Sequence, residues 1–438
     1  MQGPERRLQG LPDRLTTSPR RGRGCLALLC VLLLHAPAWS SATSARLEEL
    51  TRAFLEAGPA ISYRIAMTDR QDGAIIATLS DISVGGASTF LVVDDFAVTW
   101  RPAGGRLYAA SMTIPAVRAR DDEGNTIARL AATGGTLDLG VHIDTGRLES
   151  GDMDATGVMV SLAGAAATVR VDHLAASVTP EETTPATWAG QADVTLDGLA
   201  VTGGDGTTVA LARGHATTWF RDIPAAPAWG VLPEGASLKG AVSLEHLSGM
   251  GAAMDSAVLE FTVTGTGGNL GAIRLKYSHE GLALEDAGLA PVVPRSLVGD
   301  VNLDAVPVAD LPAAFTRTGM PQGATLGLDL EWTWPDGAGS VSGRLTSAPL
   351  APVPAAGTVR LVTSGMEDLV GNVTAAAREG NRQARHLVTY LALFRAMGRH
   401  DETAAGPRLI HDIVLAPDNR ILVNDNDINV LLSLLNAD

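Results

Sequence analysis

The chain has 438 residues, 46% of them hydrophobic but only 4% aromatic, and its formal net charge is −15 at pH 7. A strongly acidic chain is a poor ligand for nucleic acid, which is bound by cationic side chains facing the phosphates. Length alone predicts two or three domains, but a repetitive β-protein of this length forms one continuous body.

Residues 1–42 have the features of a secretory signal peptide. Six arginines precede an apolar run from Cys25 to Leu34, and small residues suited to cleavage follow at Ala36–Ala38 and Ser40–Ala42. The run is about half as long as the ~20 residues that a membrane span needs. We therefore expect export to the periplasm; anchoring to the inner membrane by an uncleaved signal is the alternative.

Loss of this segment would change both the cysteine content and the charge of the chain. Cys25 and Cys30 are its only cysteines, so the mature protein would have no disulfide, thiolate ligand or cysteine nucleophile. Removing six arginines and two acids leaves 27 basic against 46 acidic residues. This balance also argues against electrostatic docking on anionic lipid headgroups.

The next two predicted units are a short helix over residues 43–59 and a repetitive β body over residues 60–357. Ser44 can cap the helix, and Gly58-Pro59 can end it. Period-two apolar patterns then recur between Gly-rich turns without long intervening helices, which predicts a long, curved, mostly antiparallel meandering sheet forming a groove or partly closed barrel. Within this body Thr179–Pro185 is predicted to be a polar turn or loop, and Asp310–Thr318 a short helix.

A degenerate phrase, apolar–x–apolar–acid–x–apolar, recurs through the β body. Its acids are Asp94, Asp172, Asp197, Glu245 and Asp304, and their spacing is irregular. Irregular spacing argues against a solenoid of fixed period. We expect each phrase to be a strand of one sheet, with its end marked by an acid at a turn or bulge.

Residues 358–438 are predicted to form a C-terminal cap of helix, hairpin and terminal helix. Ser364 and Glu367 suggest a capping box, and apolar residues then recur at helical spacing as far as Gly398. Gly380 predicts a break within this helix. Strand patterns follow at Leu409–Leu415 and Ile421–Val423, and Ile428–Leu435 suggests a last helix.

The candidate site residues are apolar and belong to this cap or the sheet beneath it. Leu387, Leu391 and Phe394 lie on one face of the predicted helix and could cover an apolar sheet face. Trp332 and Trp334 share a strand face, which favours packing against a C-terminal helix over a carbohydrate-stacking platform.

No motif in the sequence predicts catalysis, a cofactor or a bound metal. Nucleophile-elbow, Walker and dinucleotide-binding patterns are missing from the required strand-turn-helix context. His173 and His246 occupy matching places in the phrase but lack metal-binding spacing, so surface positions are favoured. Asp425 and Asp427 partly match a calcium loop without its glycine and glutamate, which favours backbone capping over a cation site.

Four features of the sequence occur together: the N-terminus expected to direct export, the repeated strand phrases, Leu303–Leu311 leading into a short helix, and the segment Ile421–Ile428. In this combination the chain resembles the AsmA-like and related YdgA-like envelope proteins of bacteria, with Asn424 matching a recurrent asparagine and Asp425 replacing a glycine. The resemblance implies a periplasmic curved sheet with an apolar concave face, linked to lipid handling and outer-membrane homeostasis.

The sequence therefore favours a non-enzymatic envelope protein that binds lipid or another apolar ligand, or assists other envelope proteins. One alternative is a structural or adhesive β-rich surface protein without a ligand. A second is a carboxylate-dependent hydrolase, which would need two carboxylates at a suitable separation in a cleft.

Overall fold

The computed structural model describes residues 43–56, 61–85, 89–164, 167–184, 187–224, 233–267, 270–285, 290, 293–307, 323–347, 355–403, 406–418 and 420–429. Within them the protein is mainly β, with 24 strands in one antiparallel sheet, one helix before it and two helices near its end. The expected signal peptide and Asp310–Thr318 helix lie outside the described residues, as does most of Ile428–Leu435. No described helix is both long and apolar enough to cross a membrane.

The three helices are α1 (Thr43–Glu56), α2 (Met366–Arg378) and α3 (Arg382–Met397). The first twelve strands are β1 (Ile61–Asp69), β2 (Ile75–Val84), β3 (Thr89–Val93), β4 (Phe96–Gly104), β5 (Leu107–Thr113), β6 (Val117–Asp121), β7 (Thr126–Ala131), β8 (Gly134–His142), β9 (Leu148–Leu162), β10 (Thr168–Thr184), β11 (Thr187–Thr202) and β12 (Thr208–Pro224). The others are β13 (Ser237–Gly249), β14 (Ala252–Gly267), β15 (Leu270–Glu280), β16 (Ala283–Leu284), β17 (Ser296–Pro307), β18 (Thr325–Trp334), β19 (Gly337–Ser347), β20 (Ala355–Ser364), β21 (Arg399–Thr403), β22 (Gly406–Leu415), β23 (Ile421–Val423) and β24 (Asn426–Asp427).

The strands follow one another across the sheet in nearly the order of the chain. After β1 and β2 come three levels of the sheet that each consist of two short strands lying end to end: β3 with β4, β5 with β6, and β7 with β8. The strands β9 to β15 then each form one level. The order continues through β17 to β20 and β22. No ladder among the described residues joins β1 to the last strands, so the described sheet is open.

The expected meander is confirmed, but three local expectations are wrong. Thr179–Glu182 lie inside β10 and pair with β11, because the ladder to Trp188–Gln191 continues through the predicted loop. Ser364 does not cap α2: its hydroxyl bonds the backbone of Ala338, since it is the last paired residue of β20. The cap position is Gly365, which has a left-handed φ of 71°.

The third error concerns the acids of the repeated phrase. Four of them lie inside long strands instead of at strand ends, and only Asp94 lies between strands. Asp197, Glu245 and Asp304 each precede a residue with left-handed φ: Gly198 at 65°, His246 at 53° and Ala305 at 57°. The phrase therefore marks a backbone irregularity within a strand, as the bulge alternative predicted.

Most of these irregularities line up across the sheet in a row that we call the crease. Left-handed residues occur at Asp81, Gly157, Gly198, His246 and Gly281. On the strands between them, the residue that faces a left-handed residue is left out of the ladder, or the level is divided into two strands, as between β3 and β4. The crease therefore runs across every strand level from β2 to β15.

The crease explains the spacing of the phrase. A regular strand returns to the same face every two residues, whereas here apolar residues on one face are three apart across the crease. A β-carbon added to Gly214 would lie 3.4 Å from Leu211, 3.7 Å from Leu244 and 3.9 Å from Leu196, so Leu211 shares a face with the position three residues later. A strand that inserts one residue at the crease can bend without exchanging its faces.

Candidate functional site

One face of the sheet is apolar from its first strands to its last. Directly opposed residues of paired strands lie on the same face, so the ladders define continuous rows of side chains. The first such row, which we call the apolar row, is Met67, Ala77, Val98, Met112, Leu137, Met153, Ala176, Val194, Ala216, Val242, Leu259, Tyr277, Gly299, Leu330, Val341, Leu361 and His411. Its only ionisable side chains are the imidazole of His411 and the phenol of Tyr277.

The neighbouring row on the opposite face is polar. It reads Thr99, Ser111, Asp138, Asp152, Ser177, Asp193, Thr217, Ala241, Glu260, Lys276, Asp300, Asp329, Ser342, Arg360 and Asp412. Antiparallel sheets commonly have one solvated face and one face packed against apolar groups. This sheet is therefore two-faced along its length, and the question is what packs on the apolar side.

At the N-terminal end α1 covers the apolar face. Leu47 and Leu50 are buried in a cluster with side chains of β2, β4, β5, β8, β9 and β10. The helix is fixed by Arg46, a buried side chain whose guanidinium donates to the carbonyl oxygens of Ile143 at 3.0 Å and Asp144 at 3.2 Å. A buried arginine that satisfies strand-end carbonyls holds the helix in one position on the sheet.

At the C-terminal end α2 and α3 cover the same face, and the five candidate residues all belong to this cluster. Trp334 is buried with Met366, Leu369 and Val373 of α2. Trp332, Leu387, Leu391 and Phe394 pack against them and are partly buried. The two indole rings lie 6.5 Å apart and are tilted by 39°. Their contacts match the helix-packing interpretation, in which the tryptophans are covered by protein.

The cap is attached to the sheet by two polar side chains that bind the last turn of α3. The imidazole Nε2 of His411 donates to the carbonyl oxygen of Phe394 at 2.8 Å, and the two rings stack with centroids 3.8 Å apart. The amide of Asn424 donates to Met397 O at 2.8 Å and to Ile410 O at 3.0 Å. Because the last carbonyls of a helix have no partner within it, these bonds act as a C-cap supplied by the hairpin.

Between the two caps the apolar face is covered unevenly: Ala257 and Ile273 on it are buried, whereas other side chains of the same strands remain open to water. Residues of β12 to β17 contribute to neither core cluster. Leu259 and Tyr277, in the middle of the apolar row, are each 37% exposed, whereas Ala77 and His411 near its ends are 0% and 1% exposed. Val242 beside them is half-buried. This section, from β12 to β17, is the candidate functional site, and we call it the middle face.

The middle face is large enough for hydrocarbon. Five strand levels at about 4.8 Å each span roughly 20 to 25 Å, whereas an acyl chain in one bilayer leaflet spans about 15 Å. A cavity of about 200 Å³ beside the cap, lined in part by Trp334, Leu369 and Asn372, is smaller than typical ligand pockets. The extended face, not this cavity, has the dimensions of a binding site.

The polar face carries a chain of charged pairs beside the crease, which includes His173. Its Nε2 lies 2.9 Å from Asp154, its Nδ1 3.5 Å from Asp197, and Asp197 accepts a hydrogen bond from Arg213 at 3.0 Å. The hydrogen bond to Asp154 raises the pKa of His173, with Asp197 adding to the effect. Among the described residues no three such side chains converge on one metal position.

The shifted carboxyl groups do not fit the hydrolase alternative. Hydrogen bonds from arginine lower the pKa of Asp197, Asp144 and Asp300. A general acid in glycoside hydrolysis needs a raised pKa, so these three acids, which are held ionised, lack the required property.

The polar run after β23 caps backbone groups. Asp427 accepts from Asn429 N at 2.9 Å, and Asn429 accepts from Ile421 N at 3.0 Å. Asn424 and Asp425 adopt left-handed φ values of 48° and 67°, which the tight turn requires. The expectation that this run caps the backbone is confirmed for Asp427 and Asn429.

Sequence reasoning did not identify the middle face by residue, nor His411. The alternation Val242-Ser-Leu-Glu pointed to a one-sided sheet, but the section that helices would cover depends on contacts distant in sequence. Comparison of the chain with family models, with curated proteins and with solved structures finds no match.

Proposed function

We propose that this is a non-enzymatic, exported envelope protein that binds a lipid or another apolar ligand on the middle face of its sheet. The observation that carries the proposal is the half-open section of a face that is otherwise covered by α1 at one end and by α2 and α3 at the other. Periplasmic location is part of the proposal and rests on the signal-like residues 1–42. The resemblance to AsmA-like and YdgA-like proteins points to the same role.

The physical reason is the cost of leaving apolar surface in water. Burial of apolar surface contributes about 25 cal/mol per Å², so a row that includes Val242, Leu259 and Tyr277 favours an apolar occupant. Soluble proteins seldom leave a large contiguous apolar patch without a binding role. A hydrocarbon chain satisfies such a face because it needs no hydrogen-bond partners.

A matched pair of charged substitutions, one on β14 and one on β17, tests the proposal. Leu259→Glu places a carboxylate on the middle face, whereas Val298→Glu changes a side chain that is 61% exposed on the polar face. Binding is followed with phosphatidylethanolamine labelled with a fluorophore on its acyl chain. We expect Leu259→Glu to weaken binding at least about tenfold and Val298→Glu to bind like the wild type.

Circular dichroism and thermal unfolding of both variants separate loss of binding from loss of fold. A wild type that does not bind the labelled lipid, or equal effects of the two substitutions, would contradict the proposal and favour a structural role without a ligand.

A further inference from the structure

We propose that His411 is an acid-sensitive latch that releases the α2–α3 cap from the sheet when its imidazole is protonated. This inference concerns the cap alone and does not depend on whether the middle face binds lipid. It starts from the position of the imidazole, which ends the apolar row and lies between β22 and α3.

The hydrogen bonding of His411 determines which tautomer its neutral imidazole adopts. Nε2 must carry the proton, because its partner is the carbonyl oxygen of Phe394. Nδ1 is buried and has no hydrogen-bond partner among the described atoms. Protonation would therefore place a second N–H, and a positive charge, against apolar surroundings with nothing to accept the bond.

The surroundings of the ring are tight as well as apolar. The Phe394 ring stacks on it, and a β-carbon added to Gly398 would lie 3.0 Å from its Cε1 and Nε2 atoms. A charged imidazole can reach water only by breaking both the stack and the bond to Phe394 O. Those are the contacts that hold the last turn of α3 on the sheet.

Neighbouring charges offer His411 little compensation. The nearest is Asp412, whose carboxylate lies on the opposite sheet face and is paired with Arg360 at 3.7 Å and Arg399 at 3.4 Å. On the helices, Arg395 of α3 pairs with Glu367 of α2 at 2.6 Å.

The other titratable groups of these elements are exposed. They are Asp368 and Arg378 on α2, Arg382, Arg385, His386 and Tyr390 on α3, His400, Asp401 and Glu402 on β21, and Arg408 on β22. Burial consequently outweighs the other influences and lowers the pKa of His411 below its ordinary value, although its bond to Phe394 and the charge of Asp412 act in the opposite direction.

The direction of the pH effect follows from this lowered pKa. The unfolded or released segment binds a proton at the ordinary histidine pKa, and the latched one only at lower pH. Stability of the cap is therefore complete above the ordinary value and is lost as the pH falls through it toward the lowered value. Acidification releases the cap and uncovers Trp332 and Trp334.

Hydrogen exchange of α2 and α3 tests the latch, with each amide rate divided by its unprotected rate at the same pH. Between about pH 7.5 and about pH 5, where an ordinary histidine titrates, we expect protection in α2 and α3 of the wild type to fall about tenfold or more. His411→Gln keeps a donor for Phe394 O but cannot be charged, so its protection should not fall. His386→Gln, which changes an exposed histidine of α3, should lose protection as the wild type does.

An equal loss of protection in wild type and His411→Gln, or no loss in the wild type, would overturn the latch. If His411→Gln does not fold, the imidazole of the wild type is followed by nitrogen-detected magnetic resonance. Titration of His411 below the ordinary histidine value supports the proposal, whereas titration at or above that value contradicts it.

Discussion

The side chain of Asn424 joins the hairpin to α3 by donating to Met397 O at 2.8 Å, while its Oδ1 accepts from Asp412 N at 2.9 Å. Its second proton goes to Ile410 O at 3.0 Å. One amide thus satisfies three backbone groups, one in α3 and two in β22. A carboxylate could not do this, because it has no donor.

Substitution of Asn424 should therefore destabilise the cap. Asn424→Asp keeps the size and the tolerance of left-handed φ but loses both donated bonds, and we expect a loss of about 2 kcal/mol or more in the free energy of unfolding. Urea unfolding measures the loss. Asn426→Ala, which removes an amide bonded within the same turn, should cost less than half as much; equal costs would contradict the role given to Asn424.

Leu391 tests whether α3 is held by its apolar contacts. Leu391→Asp places a carboxylate in the cluster of Trp332, Trp334 and Leu369, and we expect it to destabilise the protein by about 2 to 3 kcal/mol and to increase exchange of α2 and α3 amides. Tyr390→Asp is the control, since that side chain is 55% exposed on the same helix. Unchanged protection in Leu391→Asp would remove the cap interpretation.

The crease makes a prediction about glycine. Gly198 has φ of 65°, and a β-carbon there would overlap the carboxylate of Asp172 on the next strand. Gly198→Ala should cost about 2 kcal/mol or more, from the left-handed backbone and the overlap together. Adding Asp172→Ala should restore part of the lost stability, which thermal unfolding measures.

His246 is the natural comparison, because it occupies a crease position with φ of 53° and already carries a β-carbon. His246→Gly exchanges backbone strain for greater freedom of the unfolded chain, and the net change should stay within about 1 kcal/mol. If Gly198→Ala were equally mild, the crease would not require glycine at that position.

The sequence was sufficient to predict the sheet, because Gly-rich turns and period-two patterns are local signals. The break between α2 and α3 was also predicted from Gly380, because glycine is unfavourable inside a helix. The structure shows Gly380 there with a φ of 100°. Thr179–Glu182 were misassigned because proline and paired glutamates usually mark loops, and only the ladder to β11 shows that they extend a strand.

The site was less predictable. The five candidate residues were found from helical and strand spacing, and they lie in the C-terminal cluster. The importance of Leu259 and Tyr277 depends on what covers them, which is a property of distant chain segments. His411 reads in the sequence as one polar residue in a strand, and its burial arises from the stacking of Phe394.

Native mass spectrometry of the protein, purified without detergent from cells that produce it, tests the central claim most directly. Binding on the middle face predicts a bound species of added mass that organic extraction releases as a lipid or other apolar molecule, and that Leu259→Glu loses while Val298→Glu keeps. A folded wild type that carries no such molecule and takes none from added phospholipid vesicles would contradict the claim.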